Sequence, residues 1–153
     1  MNIDIVDDEA GLREVYKAVI ERAGFTVNSF ACAGEYMAYT NSQIVPPPSI
    51  AIITDVKMPG KSGYELIQDV QKVNSKQRFV VVTGSPQEGY KEDAKACFYL
   101  QKPVSIEKLV SVIKRLSECS IAGDQHLAPS CELLSDLRTF SIDDWSCPHI
   151  KPR

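Results

Sequence analysis

No stretch of this chain approaches the roughly 18 to 20 consecutive apolar residues that cross a bilayer as a helix, so no role within a membrane is expected. Positive charge is also in short supply. Seventeen Lys and Arg stand against 20 Asp and Glu, a net charge of -3, and without a basic footprint direct nucleic-acid binding is not expected. The N-terminus, MNIDIVDDE, lacks the basic and apolar regions of a secretory signal, which makes the expected location cytoplasmic. The five cysteines are odd in number and irregularly spaced, and in a chain without a secretion signal they read as free thiols. What the chain does have is 153 residues with 44% hydrophobic content. That is enough for one well-filled core, hence one domain with an extension.

The most informative stretch is SIAIITDVKMPGKSGYEL, beginning at Ser49. Its uninterrupted apolar run, rich in β-branched residues, suits a strand buried on both faces of a parallel sheet. The run stops at Asp55. A loop with Met58-Pro59-Gly60 and Gly63 follows, then Leu66, Ile67 and Val70 at helical period. Open α/β sheets place their reacting groups at the carboxyl ends of central strands, which makes Asp55 the candidate reactive residue.

Around this stretch, strands and helices alternate. Asn2 to Val6 reads as a strand that ends in three adjacent carboxylates, Asp7, Asp8 and Glu9. Leu12, Val15, Tyr16, Val19, Ile20 and Ala23 recur at helical period, and Gly24 is a fitting stop. Phe25 to Phe30 alternates as a strand, Ala33 to about Tyr39 reads as a weaker helix, and Pro46-Pro47-Pro48 marks a stiff loop. Arg78 to Val82 is a fourth strand ending at Thr83-Gly84, followed by a short helix over Pro86 to Lys95. Phe98 to Gln101 is the fifth strand and ends at Lys102-Pro103. Ser105 then caps a last helix carrying Ile106, Leu109, Val110, Ile113 and Leu116.

This pattern predicts an α/β fold, a doubly wound five-stranded parallel sheet of order 2-1-3-4-5 with helices on both faces and right-handed crossovers. The topology gathers Asp7, Asp8, Asp55, Thr83 and Lys102 at one edge. Taken singly, each has an ordinary reading: an acidic pair is a solvated helix start, Thr-Gly is a turn, and Lys-Pro says little. Their coincidence at the ends of successive strands is the signal.

Val6-Asp7-Asp8-Glu9, Asp55 with Met58-Pro59-Gly60 and Gly63, Val82-Thr83-Gly84, and Tyr99-Leu100-Gln101-Lys102-Pro103 together resemble the receiver domain of two-component response regulators over roughly residues 1 to 118. The resemblance implies a flavodoxin-like fold in which Asp55 accepts a phosphoryl group from a phosphohistidine on a sensor histidine kinase or phosphotransfer protein. It also implies a cis bond at Lys102-Pro103. Clustered carboxylates repel one another, and a hard divalent cation with oxygen ligands relieves this; magnesium is the expected ion. The resemblance implies Asp8 and Asp55 as direct ligands, the backbone carbonyl of Lys57 as a third, and Asp7 acting mainly through water. Lys102 and the Thr83 hydroxyl would each meet a phosphoryl oxygen, and Tyr99 would be the aromatic that turns inward to change the output face, unless it is plain core packing. On this reading the chain is a switch and not an enzyme beyond its own phosphorylation and dephosphorylation. The output partner stays unknown, and a homodimer is one allowed assembly.

Three departures from the family pattern stand out. The interval from Thr83 to Lys102 is about three residues shorter than usual, roughly one helical turn, which predicts a short or irregular helix there and an unusual choice of partner. Lys95-Ala96 replaces a small Gly-Ala pair. Lys57, two residues after the acceptor, is bulky and cationic where it would overhang the phosphoryl group.

Residues 119 to 153 are too short for a usual DNA-binding output domain. One short helix is expected from Cys131 to Phe140 after a Ser130 cap, with Leu133, Leu134, Leu137 and Phe140, and Ile142 and Trp145 beyond, as an apolar stripe that docks on the receiver or on a partner. Disorder is the other reading of this tail. Cys119, His126, Cys131, Cys147 and His149 are zinc-capable side chains, yet their spacing lacks the paired C-x-x-C of structural sites. Two other function classes compete with the switch. One is a receiver-shaped interaction module that works without phosphorylation. The other is a magnesium-dependent phosphohydrolase of the haloacid dehalogenase type, which needs a second acid where this chain has Lys57.

Overall fold

A computed structural model describes residues 1–43, 48–84 and 96–122. In chain order the elements are β1 (Asn2–Val6), α1 (Ala10–Arg22), β2 (Thr26–Phe30), α2 (Ala33–Ser42), β3 (Ser49–Thr54), α3 (Gly63–Val73), β4 (Phe79–Thr83), β5 (Phe98–Gln101) and α4 (Ile106–Ala122). The strands form one sheet in the order β2-β1-β3-β4-β5, and every neighbouring pair is parallel. The doubly wound architecture expected from the sequence is the architecture observed.

Alternating strand residues divide the core into two layers. Ile3, Ile5, Ile53, Val80 and Val82 pack with Tyr16 and Ile20 of α1 and with Leu109, Val112, Ile113 and Leu116 of α4. On the opposite face, Val6, Ile52, Phe79, Val81 and Tyr99 pack with Ala33 and Tyr36 of α2 and with Tyr64, Leu66 and Ile67 of α3. Because β3 and β4 are covered on both sides, their residues are buried almost throughout, which is why they read as unbroken apolar runs.

Several boundaries differ from the sequence expectation. The residue Gly24 does close α1, with φ +100°, a conformation glycine adopts without a Cβ penalty. Strand β4 sits one residue later than expected and includes Thr83. Helix α4 begins as predicted, with the Lys108 N–H donating to Ser105 Oγ at 3.1 Å, but it continues to Ala122, four residues past the boundary placed at 118. Val15 and Ile106, counted as apolar helix positions, are 48% and 54% exposed. Each lies at the margin of its helix's apolar stripe, where the sheet no longer covers it. The helix expected over Pro86 to Lys95, most of the triple-proline loop, the Cys131 to Phe140 helix with its apolar stripe, and all of the zinc-capable tail side chains except Cys119 lie outside the described residues. Cys119, on α4, accepts a hydrogen bond from Arg78 Nε at 3.4 Å.

Candidate functional site

The site begins with the ladder itself. Backbone pairing runs one residue past β1 and β3, since the Asp7 N–H donates to the Phe30 carbonyl and the Asp55 N–H to the Val6 carbonyl, both at 3.1 Å. Both aspartates are therefore held by sheet geometry and not by loops. The Lys102 N–H donates to the Thr83 carbonyl at 2.9 Å, which brings the far end of the sheet into the same frame. Lys102-Pro103 is cis.

Local contacts then fix each carboxylate. Asp55 Oδ1 accepts from the Val56 N–H at 2.7 Å, and the Thr54 hydroxyl donates to the Asp55 carbonyl at 2.9 Å. Asp7 Oδ1 accepts from the Glu9 N–H at 2.9 Å, while Arg13 Nη1 donates to the Asp7 carbonyl at 2.6 Å. Beyond Asp55 the chain turns sharply into α3. The Gly63 N–H donates to the Val56 carbonyl at 2.9 Å, and Ser62 with Glu65 forms a capping box at the start of the helix.

Lys102 closes the constellation. Its Nζ lies 2.9 Å from Asp55 Oδ2, 3.1 Å from Asp7 Oδ2 and 3.3 Å from Glu9 Oε1. Carboxylate oxygens of Asp7, Asp8 and Asp55 all fall within 4.8 Å of one another, with Asp7 and Asp55 buried and Asp8 exposed. One ammonium thus faces three carboxylates, with Asp8 beside them. Burial pushes the Asp7 carboxyl above the usual carboxylate range, more than its hydrogen bonds from Glu9 and Lys102 pull it down, and the charge of Asp55 adds to the rise. Burial opposes the charge on Lys102, but its bonds to Asp55 and Asp7 outweigh that and hold its pKa above the ordinary lysine range. The two shifts differ in cause: burial dominates at Asp7, and the paired carboxylates dominate at Lys102.

The three aspartates offer hard oxygen donors at the spacing a small divalent cation needs, so the donor set fits such an ion. A cation bound there would compensate the same charge as Lys102, which yields a test. Lys102→Met is expected to lower stability by about 2 kcal/mol in metal-free buffer, because the buried Asp7 loses its cation. Millimolar magnesium should restore the variant more than it stabilises the parent chain. Urea unfolding with and without the ion measures this, and equal shifts would disprove the shared role.

The remaining predicted residues sit as follows. Thr83 ends β4 and is 1% exposed. Tyr99 is fully buried among the α2 and α3 layer, and its hydroxyl accepts from the Ala96 N–H at 2.9 Å, so the inward position is the one this structure holds. Lys57 is exposed in the loop after Asp55. The sequence reading did not anticipate Glu9 as a partner of Lys102, nor Arg13 as the clamp on the Asp7 backbone. The run of three acids after β1 was the available signal for Glu9.

A family profile described as "Response regulator receiver domain" matches residues 3–114. Among curated proteins, the chain is 28% identical over 120 residues to the C4-dicarboxylate transport transcriptional regulatory protein DctD of Rhizobium meliloti, a match covering 76% of this chain and 25% of that protein. It is 25% identical over 145 residues to the transcriptional regulatory protein FixJ of the same organism, covering 91% and 68%. Among solved structures, a CheY-like receiver domain protein from Methanospirillum hungatei JF-1 superposes with a TM-score of 0.67 at 29% identity, covering 80% of this chain and 98% of that one. The beryllofluoride-activated NtrC4 receiver domain dimer matches in fold with a TM-score of 0.66 at 24% identity, covering 76% and 96%. This chain therefore spans nearly all of an isolated receiver domain but only a quarter of the length of DctD.

Proposed function

This chain belongs to the response regulator receiver domain family of two-component systems, and from that premise we propose that it works as a phosphorylation-dependent switch with Asp55 as the acceptor. The observation that carries the proposal is the setting of the Asp55 carboxylate, pinned on one oxygen by the Val56 N–H and on the other by Lys102, with Asp7 and Asp8 alongside. A carboxylate so oriented is a nucleophile that needs no prior deprotonation. An Asp55 oxygen attacks the phosphorus of a phosphohistidine on a sensor histidine kinase or phosphotransfer protein. The P–N bond breaks, its electron pair leaves with the imidazole, and an acyl phosphate remains.

Asp8, Asp55 and the Lys57 backbone carbonyl would hold magnesium directly, with Asp7 acting through water. When bound, the ion neutralises charge on a phosphoryl oxygen and helps hold the group in line. Lys102, already 2.9 Å from Asp55 Oδ2, passes its ammonium to a second phosphoryl oxygen. The Thr83 hydroxyl, at the end of the neighbouring strand, donates to a third. Tyr99, whose hydroxyl accepts from the Ala96 N–H, ties β5 to the residues just before it, and is the aromatic expected to respond to the phosphoryl group.

The direct test is intact mass after incubation with magnesium and acetyl phosphate. A single phosphoryl adduct, absent when the metal is chelated, is the expected result. No adduct on folded protein would overturn the switch and favour a phosphorylation-independent interaction module. Lys57 sets a further expectation, because it is an exposed cation two residues after the acceptor. Lys57→Asn is expected to speed phosphate release about fivefold, the scale of one surface charge interaction of about 1 kcal/mol. Release rates from the two phosphorylated proteins measure it, and identical rates exclude the effect.

A further inference from the structure

The α2 and α3 face of the sheet holds a second feature, at the strand ends opposite the aspartate cluster. A cavity of about 290 Å³ lies between α2 and the C-terminal half of α3. Asp4 of β1 and Ser49 of β3 line it from the sheet, while Tyr36, Met37, Val70 and Val73 contribute apolar wall. Asp4 is 4% exposed. Its hydrogen bonding is modest, with Asn28 Nδ2 donating to Oδ1 at 3.3 Å, and no Lys, Arg or His pairs with it among the described residues.

That arrangement is unusual for a carboxylate. Buried carboxylates are ordinarily paired, because an isolated charge in a low-dielectric interior is costly. Burial raises the Asp4 pKa, and the hydrogen bonds from Asn28 and Ser49 only partly offset the rise. The other acid on the cavity wall, Asp69, already has Lys61 and Lys72 as partners. Asp4 has no such partner among the described residues. No cationic side chain lines the cavity among the described residues. The volume exceeds by about twofold the roughly 150 Å³ that accommodates benzene in an apolar cavity.

We propose that this cavity binds a small organic cation, a primary ammonium carried on an apolar body about the size of one ring, with the ammonium on Asp4 and the body against Met37, Val70 and Tyr36. The ammonium supplies the countercharge that Asp4 lacks among the described residues. The site is separate from the phosphoryl chemistry. It stands or falls independently of the assignment of Asp55.

Titration calorimetry on the full chain tests it with 2-phenylethylamine, 2-phenylethanol and 3-phenylpropionate as probes, with magnesium present so that the aspartate cluster at the other edge is occupied. One-site saturable binding of the amine is expected, with the alcohol at least roughly tenfold weaker, the scale of a hydrogen bond to a charged group, and no binding of the acid. In Asp4→Asn the preference for the amine should vanish while the alcohol binds as before. Absence of saturable amine binding, equal binding of amine and alcohol, or undiminished amine binding by a folded Asp4→Asn would each overturn the proposal. The comparison of probes on the unsubstituted chain decides the matter even if that variant does not fold.

Discussion

Asp55→Asn is expected to take up no measurable phosphoryl group from acetyl phosphate, a fall of roughly a thousandfold or more, which is the scale of loss when a covalent nucleophile is removed. The geometry makes this substitution unusually clean. Asparagine has the same shape, and its amide oxygen can keep accepting from the Val56 N–H, now 2.7 Å from Oδ1, while the amide nitrogen, a donor in the place of Oδ2, turns Lys102 toward its other carboxylates. Lys102 loses one of its three carboxylates but retains Asp7 at 3.1 Å and Glu9 at 3.3 Å. The lost attraction is offset by relief of repulsion, since the charge of Asp55 is one of the causes that push Asp7 upward. The fold should therefore change in stability by no more than about 1 kcal/mol, and intact mass together with a urea midpoint separates chemistry from folding. An adduct that persists in the variant would move the acceptor to another residue, with Asp7 and Asp8 the nearest carboxylates.

How much of this site could be read from the sequence depends on whether the signal was local. Asp55 was legible because an apolar strand that stops at an acid is a pattern within one short stretch, and the parallel topology then brings Asp7, Thr83 and Lys102 to the same edge. Glu9 was not, because its contact with Lys102 joins residues 93 apart in sequence and depends on side-chain reach. Asp4 is the clearer loss. Nothing within the five-residue strand singles it out, and only the docking of α2 and α3 over that face turns it into a buried carboxylate. Tyr99 carried two readings, switch aromatic and core residue; its burial and the bond from Ala96 give it the packing of the second while leaving it tied to the strand end that the first requires.

Gly63 was legible as a family feature, but the reason for it lies in the packing. A Cβ built at this position would lie 2.1 Å from the Asp55 carbonyl oxygen and 3.2 Å from Thr54 Oγ1, the first far inside a non-bonded contact of about 3.5 Å. The conflict is with backbone, which has no rotamer to escape into. Helix propensity alone would favour Gly63→Ala by about 1 kcal/mol, so the sign of the effect is decided by which influence is larger. Overpacking against fixed atoms costs about 3 kcal/mol and occasionally more, and the net loss should be about 2 kcal/mol or greater. Relief requires the start of α3 to move away from β3, and the bond from the Gly63 N–H to the Val56 carbonyl, 2.9 Å long, resists that. If the helix does move, Val56 follows and takes with it the N–H that orients the Asp55 carboxylate. Gly63→Ala should therefore unfold at lower urea and, in the fraction still folded, accept phosphoryl groups more slowly than the parent chain. A variant as stable as the parent would mean that the loop from Val56 to Ser62 yields at little cost, and that the acceptor's position does not depend on the close approach of this helix to its strand.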